Sequence, residues 1–232
     1  MKVAIMQPYF LPYIGYFQLI NSVDVFVIYD DVDYIKKGWI NRNTLLVNSK
    51  GFLFSIPLKE LSQNKLINQI EIYKDSCWRT GLLKTITLSY KKAPFFEAFY
   101  PFVEDILLQE ENNLAKFIAY SLQKICNLLS IETTIMISSY IEKNNDLKGQ
   151  DKIIEICKKV KATNYINAIG GTSLYDDDIF LKNNISLNFI KSTPFIYSQF
   201  KNEFIPWLSI IDVMMFNSPK QIKDQLSQYE LI

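Results

Sequence analysis

The segment Gln7-Pro-Tyr-Phe-Leu-Pro-Tyr-Ile-Gly-Tyr16 carries the densest set of residues able to act on a ligand. If a strand ends before it and a helix begins within it, free N–H groups and a partial positive charge face the space beyond the sheet. That is a setting for a phosphate or another anion. Gln7 and Tyr9 add hydrogen-bonding side chains, and Gly15 lets backbone or ligand approach without a Cβ in the way. Tyr13 and Tyr16, three residues apart, share one helical face. A phenol donates one hydrogen bond but carries no positive charge near neutral pH. The alternative is that both tyrosines simply pack the start of the helix.

Arg42 is the next candidate. Only Arg42 and Arg79 among 25 basic side chains are arginines. Where lysine is so favoured, an arginine is expected to serve through its planar fork, which grips a carboxylate or phosphate with two hydrogen bonds. Arg42 stands between Asn41 and Asn43, and a structural ion pair is its alternative role. Arg79, beside Trp78, suits the covering of an aromatic face.

Tyr29-Asp-Asp-Val-Asp33 would set carboxylates at the carboxyl edge of a strand. Asp30 or Asp31 there could orient a sugar, accept a proton or hold Mg²⁺. Asp31 and Asp33 share a face if the strand continues, and Asp30 points the other way. Solvated strand-end aspartates are the plain alternative. Lys59, Asn64 and Lys65, then Gln150 and Asp151, and finally Gly170-Gly171 complete the substrate-binding candidates. The chain has seven glycines, so a pair at a strand end points to a backbone requirement, a ligand-approach loop or a tight turn. No set of residues is assigned as metal ligands.

The residues that are missing narrow the chemistry further. With no histidine, Ser-His triads, Cys-His pairs, His-ligated zinc and His general bases are all excluded. Basic and acidic side chains balance at a net charge of +1, which argues against a general DNA or RNA coat. A tRNA held locally is compatible with this charge but not indicated by it. Cys77, Cys126 and Cys157 form no CxxC and are expected as reduced core thiols. The apolar run at the start is too short for a signal peptide, and no stretch nears the ~20 residues that span a bilayer. A cytoplasmic location without membrane insertion is expected; the oligomeric state is left open.

These residues must be positioned by the elements around them. Continuous apolar runs predict strands at 2–6, 24–29, 133–138, 165–169 and 185–190. Helices are expected at 11–20, with Pro12 in the first turn, and at 78–90, 95–108, 113–129, 151–161, 174–181, 207–215 and 219–226. Asn112 or Asn113 would cap the fourth of these. Residues 44–58 read as a hairpin turning at 48–51, with a further strand at 66–72. The 232 residues are thus expected as a single α/β domain, a mostly parallel open sheet of about five strands. An antiparallel β insertion falls at about 31–75 and a helical insertion at about 78–130.

Tyr13-Ile-Gly-Tyr16 resembles the HxGH motif of nucleotidylyl transferases and class I aminoacyl-tRNA synthetases with both histidines replaced. Ser138-Ser139-Tyr140 also lacks the Arg of their second phosphate signature. Over its whole length the chain resembles the WbqC-like family. The motifs are Met-Gln-Pro-Tyr-Phe-Leu-Pro-Tyr-Ile-Gly-Tyr-Phe-Gln-Leu-Ile, Trp-Ile-Asn-Arg-Asn, Leu-Lys-Gly-Gln-Asp, Asn-Ala-Ile-Gly-Gly and Pro-Trp-Leu-Ser-Ile-Ile-Asp-Val-Met-Met-Phe-Asn-Ser. That resemblance implies a Rossmann-like fold of the HUP/nucleotidylyl-transferase type and a place in bacterial O-antigen or capsule synthesis. The implied reaction is glycyl or aminoacyl transfer to an amino sugar carried on a nucleotide or lipid. Asp30, Asp31, Arg42 and Tyr13 would be the catalytic set and the partner a phosphorylated or nucleotide-linked sugar; the cofactor is left open, with a nucleotide and Mg²⁺ as candidates. A nucleotidylyl transferase with an altered motif, or a non-catalytic nucleotide-sugar binder, are the alternatives.

Overall fold

Val3, Ala4 and Ile5 are all buried, and Lys2–Met6 (β1) accordingly lies inside a sheet with apolar cover on both faces. The structure is a computed structural model that describes residues 1–59, 65–75, 77–201 and 203–232. β1 leads through the helix Ile14–Asn21 (α1) to Val25–Ile28 (β2), and the two strands run parallel in the register Val3↔Val25 to Met6↔Ile28.

Between β2 and the next strand of this sheet lies a long excursion. It opens with the hairpin Arg42–Val47 (β3) and Lys50–Ser55 (β4), closed by Asn48 and Ser49, both left-handed (φ 49° and 62°). This two-residue turn matches the right-handed twist of the strands. Leu58–Lys59 (β5) pairs antiparallel with Glu71–Ile72 (β6). The single strand expected over 66–72 is instead broken by a 3₁₀ turn at Ile67–Gln69. Ile67 and Ile70 are both fully buried, an i, i+3 spacing that one straight strand would split between opposite faces. Three helices follow: Cys77–Tyr90 (α2), Phe96–Leu108 (α3) and Leu114–Leu128 (α4). Asn113 caps α4, its side-chain oxygen accepting from Lys116 N at 3.1 Å.

The α/β alternation resumes with Thr134–Ile137 (β7), Gly149–Lys159 (α5), Asn164–Ala168 (β8), Asp177–Lys182 (α6) and Ser186–Ser192 (β9). The helix expected at 174–181 starts later because Asp176 caps it, accepting from Asp178 N and Ile179 N. Ile210–Phe216 (α7) and Pro219–Gln225 (α8) follow, capped by Ser209 and Ser218. Trp207, expected inside the first of these helices, lies outside it with φ 62°. The last strand is Tyr229–Leu231 (β10).

The sheet order is β10-β9-β8-β1-β2-β7, parallel throughout except for β10 against β9. All five expected strands are there, and β10 makes six. On one face α1 to α4, α7 and α8 share a core with Ala4, Phe26 and Ile28. On the other, Ile153, Ile156 and Cys157 of α5 and Phe180 of α6 pack on Val3, Ile5, Val25 and Val27. Because β2 and β7 extend the sheet to one side of β1 while β8 and β9 extend it to the other, the strand order reverses between β1 and β8. In open α/β sheets ligands bind beyond the carboxyl ends of the strands at such a switch point.

No helix among the described residues is long and apolar enough to cross a membrane. Cys126 and Cys157 are buried, as expected, and burial pushes both thiols up to about 12. Cys77 is exposed at the start of α2, against expectation.

Candidate functional site at the sheet switch point

A cavity of about 530 Å³ opens at this reversal. Its floor is Ile5, Met6 and Gln7 at the end of β1, and Asn167 and Ala168 at the end of β8. Tyr29 beyond β2, the start of α5 at Gly149 and Gln150, and the turn through Gly170, Gly171 and Tyr175 form its walls. Gln7, Gln150, Gly170 and Gly171, expected as ligand groups, therefore line one cavity.

The two glycines differ in what they require. A Cβ on Gly171 would meet the Asn167 side chain at 3.3 Å, whereas one on Gly170 would meet nothing within 4 Å. Gly149 is left-handed (φ 53°), a conformation glycine adopts without cost. It opens α5, whose cap Lys148 places no side chain on the first N–H groups. An uncapped helix start on a cavity wall favours negative charge. Gln150 Oε1 accepts from Asp176 N at 3.0 Å, tying α5 to the segment before α6. Asp151, expected in the site, is exposed in the first turn of α5 and does not line the cavity.

Sequence reasoning missed three of the lining groups. Asn167 is buried and fully engaged: Nδ2 donates to the Tyr165 and Tyr175 hydroxyls at 2.9 Å each, and Oδ1 accepts from Ala168 N at 2.6 Å. Tyr175 is thereby fixed at the rim. The Tyr29 hydroxyl has no protein partner among the described residues. Burial, with Asp31 and Tyr175 nearby, pushes its pKa up, so it stays a neutral donor. The wall carries no carboxylate among the described residues and so does not fit a protein-held Mg²⁺ ion.

Asp30 and Asp31 do point to opposite faces, and both are buried. Asp31 Oδ2 lies 2.8 Å from Lys143 Nζ and 3.1 Å from Lys152 Nζ, all three side chains being nearly inaccessible. Burial alone would raise the Asp31 carboxyl, but Lys143, Ser138 and Lys152 beside it outweigh that and hold the group below the usual carboxylate range. Lys152 also donates to the Asp31 carbonyl and lies 5.5 Å from the Tyr29 ring centroid, behind the cavity wall. Asp30 accepts from Ser139 N at 2.9 Å and Ser139 Oγ at 2.7 Å, beside a smaller cavity of about 260 Å³ on the opposite face. Both aspartates are thus committed to holding the loops beyond β2 and β7. Asp33 forms a lone bridge with Leu66 rather than continuing the strand.

The start of α1 does not form the expected phosphate cradle. The helix begins at Ile14 with Tyr13 as its cap, so Pro12 lies outside the first turn. Tyr16 is buried, its hydroxyl donating to Gln7 O at 2.8 Å. A Cβ on Gly15 would meet the Tyr13 ring at 2.3 Å and Ser192 Oγ at 2.5 Å, so glycine is needed here for packing. Tyr13 and Tyr16 therefore do not present one face to a ligand. Tyr9 is half-buried between Tyr13, Tyr16 and Trp39, at ring-centroid distances of 6.5, 5.9 and 6.1 Å.

Arg42 has no carboxylate partner among the described residues. Its guanidinium lies 5.2 Å from the Trp39 ring centroid and donates through Nη2 to Lys37 O, while Nε has no partner. Its neighbours have structural tasks. Asn41 joins the Tyr34 hydroxyl to Ile56 O, at 2.8 Å each. Buried Asn43 donates to the carbonyls of Phe10 and Leu11. Arg79 lies over Trp78 at 4.7 Å, the expected aromatic cover. Lys59 is exposed in an ion pair with Glu71 at 3.4 Å. The Lys65 carbonyl accepts from Tyr34 N, and Asn64 lies outside the described residues.

A further buried carboxylate went unrecognised in the sequence. Asp212 accepts from Tyr90 (2.8 Å), Tyr197 (2.6 Å) and Gln199 (2.9 Å), fastening Tyr197 and Gln199 to α7. Burial raises its pKa more than these three donors lower it.

A family model described as the WbqC-like protein family matches residues 7–224. An uncharacterized protein of Mycobacterium tuberculosis, Rv1507c, is 27% identical over 227 residues, covering 97% of each chain. No solved structure matches the chain.

Proposed function

The chain belongs to the WbqC-like protein family, and from that premise we propose that it is a transferase of surface-polysaccharide synthesis. It binds an amino sugar carried on a nucleotide or lipid and transfers an acyl group, glycyl or another aminoacyl, to the sugar amine. The observation that carries this reading is the switch-point cavity, where an uncapped helix start, the Gln7 amide and the Tyr29 hydroxyl converge. The start of α5 would take the phosphates of the carrier, in place of the filled start of α1.

The lining needs no ionisable base for this chemistry. An amine with electron-withdrawing neighbours titrates near the α-amino value of about 8, so roughly a tenth is free base at neutral pH. Its nitrogen attacks the carbonyl carbon of an activated ester. The C–N bond forms, the C–O bond to the acyl carrier breaks, and the amine proton leaves with the released oxygen. Holding the partners in place supplies much of the rate, and Tyr29, kept protonated, donates to the developing oxyanion.

A second reading, a nucleotide-sugar binder without catalysis, is favoured by one observation: no charged side chain lines the cavity among the described residues. The deciding experiment is mass spectrometry of the surface glycan from a deletion strain complemented with wild type, Gln7→Ala or Tyr29→Phe. Loss of an acyl group, restored by wild type but not by Tyr29→Phe, supports transfer. An unchanged glycan in the deletion strain overturns it.

A further inference from the structure

Three half-exposed or exposed segments bring four aromatic rings into one row outside the cavity. Trp39 lies 6.1 Å from Tyr9, Tyr9 lies 6.5 Å from Tyr13, and Tyr13 meets Trp207 edge-on at 5.6 Å. Trp39 and Trp207 at its two ends are 51% and 53% exposed, an unusual state for the largest apolar side chain. The row begins beside the cavity, since Tyr9 follows cavity-lining Gln7 by two residues, a Cα separation of at most ~7 Å.

The backbone holds these rings in place against its own preference. Among the described residues, nine without glycine's freedom are left-handed. Asn48 and Ser49 make the hairpin turn, and Ser130, Lys161 and Asn184 stand just past the ends of α4, α5 and α6, where such a residue closes a helix. Lys37 is third in the turn that Gly38 N closes on Ile35 O, and Leu11, Phe200 and Trp207 have no such reason; of these four, Leu11, Lys37 and Trp207 belong to segments that carry a ring of the row. Strained conformations of this kind cluster at binding sites.

Chemistry along the row is specific. The Tyr9 and Tyr13 hydroxyls have no protein partner among the described residues, and burial raises both pKa values, leaving neutral donors. Beside them Arg42 stacks on Trp39 without any carboxylate among the described residues to neutralise it, its Nε unpartnered. Flat rings match the C–H faces of a pyranose, the hydroxyls match its edges, and the lone guanidinium calls for an anion.

We propose that the row Trp39–Tyr9–Tyr13–Trp207 is a glycan subsite, and that Arg42 beside it selects a saccharide bearing a carboxylate. This deepens the transferase reading and rests on it for the identity of the acceptor as a sugar. The subsite binds the saccharide while the cavity holds the carrier end.

Isothermal titration with tetragalacturonate, maltotetraose and an oligouridylate of matching charge tests the assignment, with folding of each variant checked by circular dichroism. Tetragalacturonate is expected to bind at least about tenfold more tightly than neutral maltotetraose. Trp39→Ala and Trp207→Ala should each weaken it about tenfold, equivalent to 1.4 kcal/mol. Arg42→Lys should weaken tetragalacturonate by clearly more than it weakens maltotetraose, because the charge stays while the fork on the carboxylate is lost. Absent binding, equal affinity for the two saccharides, or oligouridylate binding as tightly through the same residues overturns the proposal. Nucleotide titrations on Gln7→Ala separate the two readings: the cavity can fail while the row still binds tetragalacturonate, and the reverse.

Discussion

Lys152 grips Asp31 twice, through the carboxylate at 3.1 Å and through the backbone carbonyl at 2.8 Å. One ammonium thereby fixes the start of α5 to the loop leaving β2, on either side of the cavity. Lys143 shares the same carboxylate at 2.8 Å, so two buried cations rest on one anion.

That imbalance predicts an asymmetric mutational response. Asp31→Asn strands both ammoniums in the interior and should cost about 3–5 kcal/mol, the range for breaking a buried pair. Lys152→Met or Lys143→Met leaves a matched one-to-one pair and should cost only about 1–2 kcal/mol. Urea denaturation of the three variants measures the difference, and equal losses would contradict it.

Two carboxylates should shape the acid limb of stability in opposite directions. The folded pKa of Asp31 is lowered, so its stabilisation is fully present above the ordinary carboxylate value of about 3.9 and drains away as pH falls through the lower folded value. Asp212 has a raised folded pKa, so its contribution makes stability decline as pH rises from the ordinary value through the raised one. Asp31→Asn should flatten the acid loss, and Asp212→Asn should abolish the opposing slope. Thermal melts from pH 3 to 7 would resolve both.

Gly15→Ala should destabilise by about 1–3 kcal/mol, because the added methyl overlaps the Tyr13 ring and Ser192 Oγ. Gly170→Ala meets nothing within 4 Å and should leave the melting temperature unchanged. Only the first should alter tryptophan fluorescence, since displacing Tyr13 moves a ring packed on Trp207.

Inside the cavity, Tyr29→Phe removes a single neutral donor. Nucleotide-sugar affinity should drop by about 0.5–1.5 kcal/mol if that hydroxyl meets the ligand. Calorimetric titration with a uridine diphosphate amino sugar reads this directly; an unchanged affinity removes Tyr29 from the ground-state complex.

The parts of this architecture that are legible in the sequence are those written in local pattern. The apolar runs at Val3–Ile5 and Val25–Ile28 announce buried parallel strands, and Asn113 announces its helix. Gly170-Gly171 line the cavity because strand ends at a switch point are predictable places, and Gln150 does because it stands at the opening of a helix on the same edge. Asn167, Tyr175 and Lys143 carry no spacing of their own: their roles exist only once β8, α6 and the loop after β7 converge. Arg42 stands out by rarity, yet rarity does not tell an anion clamp from a stacking partner. Tyr13 and Tyr16 mislead because a helix starting at Ile14 rather than Leu11 turns one ring into a cap and sends the other inward. β10 escapes notice because three residues set no period.

The placement of β1 between β2 and β8 has a consequence for biogenesis. β1 has its second neighbour encoded some 160 residues later. At roughly 5–20 residues per second, that edge waits on the order of ten to thirty seconds for its mate. Throughout that interval an apolar ribbon with unpaired amides is open to other nascent chains. Newly made protein is therefore expected to rely on chaperone shielding of this strand until β8 has been made.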